Sequence, residues 1–190
     1  MNRPLLVGGI AAGLLVFGGV VAALTVSHVH DTNGGSGEQP AVCGNVSAAA
    51  LARARTPTPN TSGSYETKLL NGVRTNCSWI RTEGPGLRNT DVSVLPGREA
   101  DFDEFVRGHL SNAPDLPRQR PLEGLGDEAA VLQAERGSSG EHFTEISVVV
   151  RKDNRLVVVR HIAREPGGKP DVAELEAAAK GIAEEFVGKL

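Results

Sequence analysis

The chain has 190 residues, with 20 Lys and Arg against 23 Asp and Glu, a formal charge of −3, and five Phe, one Tyr and one Trp. That size excludes a large multidomain enzyme and suits one domain of ordinary dimensions. Beyond residue 26 the charge is −4, because Arg3 is the only charged side chain removed, so no basic stripe is offered to nucleic acid.

Residues 1–4 precede an apolar run, Leu5 to Val26, whose 22 residues carry no charge. As a helix it spans about 33 Å, enough for a hydrocarbon core of roughly 30 Å. A cleavable signal has a shorter apolar region of ~7 to 15 residues and a small-x-small cleavage site, so the run reads as an uncleaved single-pass anchor. Arg3 before it, with His28, His30 and Asp31 after it, places the start in the cytoplasm and the bulk outside the membrane. Gly9 and Gly13 form a GxxxG that would let two such helices approach as a homodimer, although glycine is common in membrane helices in any case.

Residues 27–41 are polar and Gly-rich and read as a flexible, disordered linker. The pair His28 and His30 lacks the further ligands that a closed metal site needs, so neither a metal nor another cofactor is expected.

The folded domain is expected over 42–190. Asn45 or Ser47 can cap a short helix to about Arg55, followed by a loop over 57–64. Thr75 to Arg81 and Thr90 to Leu95 alternate as strands, with Cys77 and Trp79 on one face and Val92 and Val94 inward. Glu99 to Leu110 carries Phe102, Phe105, Val106 and Leu110 as a helical stripe. The glycines of Gly124-Leu125-Gly126-Asp127-Glu128-Ala129 suit a tight turn into a strand at Ala130 to Ala134, and the two acids would repel a phosphate.

Two β-branched runs, His142 to Lys152 and Arg155 to Ala163, flank Asp153-Asn154 and predict a hairpin. Its register sets Val150 opposite Val157, Val148 opposite Val159 and Ile146 opposite His161. Asp171 can cap a last helix, with Glu174 at the capping-box position and Val172, Leu175, Ala179, Ile182 and Phe186 as its buried stripe. The whole predicts an α+β domain, an antiparallel sheet with helices packed on one face.

Outside the membrane, Cys43 and Cys77 read as a disulfide, the one pairing available within the chain. The competing reading makes Cys77 a nucleophile served by His109, His142 or His161, but the second cysteine and the adjacent Trp79 speak for the bridge. No GxSxG, HExxH, SxxK or P-loop occurs, so no catalytic residue is assigned. Paired acids such as Asp101 with Glu104, or Glu184 with Glu185, are expected on solvated helix faces.

In order, the apolar start, polar linker, Cys43, Cys77-Ser78-Trp79, Gly124 to Ala129 and the basic Arg151 to Asn154 turn resemble an actinobacterial family of cell-envelope proteins with a domain of unknown function, often lipoproteins. The pattern is also similar to the extracellular sensor domains of bacterial receptor Ser/Thr kinases. The chain departs from the first by lacking a lipid-bearing cysteine after the apolar run, and from the second by lacking a kinase domain. The resemblance implies an extracytoplasmic, disulfide-stabilised α+β module. Together with the missing catalytic motifs, the anchor points to a non-enzymatic binding or sensing protein of the envelope, its partner a protein or a small apolar ligand. A wall-modifying enzyme with a dispersed active site and a structural assembly protein are the alternatives.

Overall fold

The computed structural model describes residues 38–97, 99–111, 118–136 and 143–190. The apolar run, Gly9, Gly13, His28 and His30 lie outside the described residues, and among the described residues no helix is long and apolar enough to cross a membrane. In chain order the elements are α1 (Ala48–Arg53), β1 (Thr58–Pro59), β2 (Tyr65–Leu69), β3 (Gly72–Ile80), β4 (Leu87–Pro96), α2 (Glu99–Ser111), β5 (Arg118–Pro121), β6 (Glu128–Arg136), β7 (Phe143–Lys152), β8 (Arg155–Arg164) and α3 (Val172–Gly188). The strands form one antiparallel eight-stranded sheet in the order β1-β3-β4-β8-β7-β6-β5, with β2 paired to β3 beside β1. The α+β class and the disulfide are therefore present, Cys43 and Cys77 lying 5.5 Å apart at Cα.

The β7–β8 hairpin sits in the middle of the sheet with the expected register: Val150 pairs with Val157, Val148 with Val159 and Ile146 with His161. Asp153 takes φ +54 at the turn, a left-handed conformation that Asp and Asn tolerate better than most residues. Because strand side chains alternate, Val148, Val150, Val157 and Val159 share one face with Cys77, Trp79 and Val92. Leu175, Ala179, Ile182 and Phe186 of α3, together with Ala50, Leu51 and Ala54 around α1, cover that face and are buried with it. Burying each large aliphatic side chain contributes ~1.5–3 kcal/mol, so this layer is the main core.

The helices do not all lie on one face, which corrects the expected architecture. Phe102 and Val106 of α2 pack on the opposite face, over Ala130, Leu132, Val149, Leu156 and Val158. Two-sided burial explains why Val149 and Ser147, which the alternation assigns to a partly exposed face, are both 0% exposed. Gln39 belongs to the fold, its Nε2 donating to Ser64 Oγ at 3.0 Å and to the Ser78 carbonyl at 2.8 Å. The expected loop over 57–64 holds the short β1 and a 3-10 turn at Thr61–Gly63.

Candidate functional site

Chemistry at Cys77 is closed off by the bridge to Cys43, so no thiolate is available there. Of the histidines that could have served it, His161 faces the same core and is 0% exposed. Its Nδ1 lies 3.2 Å from the Asn89 carbonyl and 2.8 Å from Thr90 Oγ1, which in turn touches Thr56 Oγ1 at 2.9 Å. A carbonyl can only accept, so the Asn89 contact puts the proton on Nδ1. Nε2 is left as a buried acceptor with no partner. Burial, and then the nearby Arg88 guanidinium, push the imidazole pKa down to about 4 against the opposing pull of the Asn89 carbonyl. The ring is neutral and enclosed, with no path to an outside substrate. Of the other two histidines considered as a base for Cys77, His109 falls in α2 and His142 lies outside the described residues.

Beside it, Arg88 is a fully desolvated guanidinium, 2% exposed. It is held between Glu165 at 2.9 Å and Glu174 at 2.8 Å, while Arg81 reaches Glu165 at 3.7 Å and Arg55 reaches Glu174 at 2.9 Å. These pairs join the ends of β4, β8 and α1 to the first turn of α3. Asp171 caps α3 as expected, accepting from the Ala173 and Glu174 amides. The Glu174 carboxylate serves the arginines, a role the capping pattern could not reveal because the partners are 119 and 86 residues away in the chain.

The turn at Gly124 to Ala129 is structural. Gly124 and Gly126 adopt φ +77 and +65, and a Cβ on Gly126 would stand 2.5 Å from the Arg151 carbonyl oxygen. Asp127 clasps the β7–β8 turn: its amide donates to the Arg151 carbonyl at 2.8 Å, and its Oδ2 accepts from the Asp153 amide at 2.8 Å and Arg151 Nη1 at 3.2 Å. The two distinctive sequence features, the Gly-rich turn and the basic hairpin turn, are thus the two halves of one contact.

Glu185 departs from its expected place on a solvated helix face. It accepts from the Ser47 amide and hydroxyl, each at 2.9 Å, and fastens the start of α1 to α3. The Ser47 amide accordingly holds its carboxyl pKa below the ordinary value. Glu184 does lie on the surface, 3.7 Å from Lys180. Among the described residues no group of three His, Cys, Asp or Glu side chains comes together to hold a metal.

A shallow concavity is also present among the described residues. On the face that carries α2, but toward the far ends of β3, β4, β7 and β8, a depression of about 480 Å³ is lined by Ile80, Leu87, Phe143 and Ile162, with Asn60 and Asn89 beside them. Register explains the convergence: Ile80 pairs with Asn89 and Asn89 with Ile162, so their side chains share one face across three strands. Arg81 and Arg88 complete the wall, but the Arg88 guanidinium is turned to the other face by its pair with Glu174. Leu87 is 39% exposed, and the Arg164 guanidinium stands 5.5 Å over the Phe143 ring. Apolar walls with a few amides suit contact with an apolar surface. Sequence reading missed this site because its residues come from four separate strands. No family model and no curated protein matches the chain.

Proposed function

We propose that the protein is a single-pass envelope protein whose extracytoplasmic domain is a non-enzymatic binding or sensing module. The apolar run supplies the anchor, and the depression at Ile80, Leu87, Phe143 and Ile162 receives a small apolar ligand. The observation that carries the reading is this partly exposed apolar concavity, whose volume lies within the ~300–1,000 Å³ of small-molecule pockets. The wall-modifying alternative loses its thiol nucleophile to the Cys43–Cys77 bridge.

Photolabelling tests the reading. An uncharged alkyl diazirine is activated in membranes bearing the full chain, and labelled peptides are mapped by mass spectrometry. Labels are expected on peptides containing Leu87 and Ile162 and should disappear in Leu87→Glu with the melting temperature unchanged. Labelling confined to residues 5–26 would leave the anchor and sink the ligand site.

A further inference from the structure

The strand β2 forms an outer edge of the sheet, where it pairs with β3 alone. Its other edge has no strand partner among the described residues, and Tyr65, Glu66 and Lys68 are exposed. An unpaired edge is a template for another strand, and proteins ordinarily blunt it with charge. Here the charges do something more selective. Tyr65-Glu66-Thr67-Lys68-Leu69 is complementary to itself when laid antiparallel about a two-fold axis at Thr67. Glu66 then faces Lys68 of a second copy, twice by symmetry, Tyr65 faces Leu69, and Thr67 faces its own equivalent.

Other registers lack this match. An axis at Glu66 or at Lys68 sets like charges opposite each other, and an axis between Glu66 and Thr67 leaves both charges without a complement. We propose that two copies of this chain join edge to edge through β2 in the Thr67-centred register, extending one antiparallel sheet across the dimer. The interface is isologous, as a two-fold contact between identical chains must be. It also brings the fully exposed Leu70 next to Ser64 of the second copy.

Five residues of strand pairing bind weakly on their own, but two copies anchored in one membrane meet at a far higher effective concentration. The proposal uses the anchor of the preceding reading and is independent of its ligand.

Thr67→Cys in the full chain provides the test, since Cys43 and Cys77 occupy each other and the added thiol sits on the two-fold axis. Mild oxidation of membranes should yield a covalent dimer. Glu104→Cys, on the exposed side of α2, should stay monomeric. Adding Lys68→Glu should cut the Thr67→Cys dimer about tenfold, because two attractive pairs become repulsive. Adding Glu66→Lys as well should restore it, which also shows that the exchanged strand still folds. Equal cross-linking at positions 67 and 104, or a yield indifferent to both charge changes, overturns the proposal. Release of the chain by alkaline carbonate would instead remove the anchor reading, leaving the cross-link to report on the edge by itself.

Discussion

A histidine sealed in the core couples this fold to pH. His161 is held neutral, with its folded pKa about 4 against an ordinary value of 6.5. Between those values the unfolded chain takes up a proton that the folded chain refuses. The stability this group contributes is therefore whole above pH 6.5, erodes as the pH falls toward 4, and falls no further below that. The full swing is on the order of 3 kcal/mol. Glu185 acts in the same direction but lower, since a carboxyl with a depressed pKa loses its stabilisation only as the pH falls below its ordinary value of 4.5. Urea midpoints between pH 6.5 and 4.5 thus isolate the histidine. The wild-type midpoint should fall steadily across that window, and His161→Leu, although less stable at neutral pH through loss of the Asn89 and Thr90 contacts, should show a nearly flat profile there. A parallel slope in the variant would assign the pH dependence to another group.

At the scale of elements, the turn at Gly124 to Ala129 is set by two separable demands, backbone conformation and close approach. Both glycines have left-handed φ, but only Gly126 lies against another backbone, whereas nothing stands within 4 Å of a Cβ on Gly124. Gly124→Ala should cost about 1 kcal/mol for the conformation alone, and Gly126→Ala clearly more, about 2–3 kcal/mol, because the clasp on Arg151 must also open. Equal losses in chemical denaturation would show that the turn is not docked on the hairpin. This contrast marks what a sequence reveals. The β7–β8 register was legible because runs rich in β-branched residues stand on either side of Asp153-Asn154, and α3 because Asp171 caps it and an apolar stripe runs along it. By contrast, β2 went unread although Glu66 and Lys68 alternate with Tyr65, Thr67 and Leu69, because five residues with none fully buried give too short and too weakly apolar a run to stand out. The position of α2 was equally hidden, since a helix's apolar stripe says that it packs and not on which face of a sheet. The depression was invisible for the same reason: Ile80, Leu87, Phe143 and Ile162 are adjacent only through the pairings of four strands.

Taken as a whole, the molecule is a central sheet whose amino-terminal segment is held on by a small number of long-range contacts. The 3-10 turn at Ala41–Asn45 and α1 meet the rest through the buried Val46, Ala50, Leu51 and Ala54, and beyond that packing through the bridge from Cys43 to Cys77, through Ser47 to Glu185, and through Lys189 Nζ to the Asn45 carbonyl. The last two are polar contacts near the surface, each worth about 1 kcal/mol net or somewhat more where the partner is charged. The bridge closes a loop between cysteines 34 residues apart. In the chain-entropy account, a loop of that size stabilises by about 3–4 kcal/mol through the unfolded state. It is therefore the strongest single tie on this segment. Reducing the full chain, or replacing both cysteines by alanine, should lower the unfolding midpoint by about 10 °C for a domain of this size. Because the effect resides in the unfolded chain, amide exchange should accelerate in β7 and β8 as well as in α1. Acceleration confined to residues 41–55, with the midpoint unchanged, would mean that the bridge only pins a local segment and that the sheet and α3 carry the fold without it.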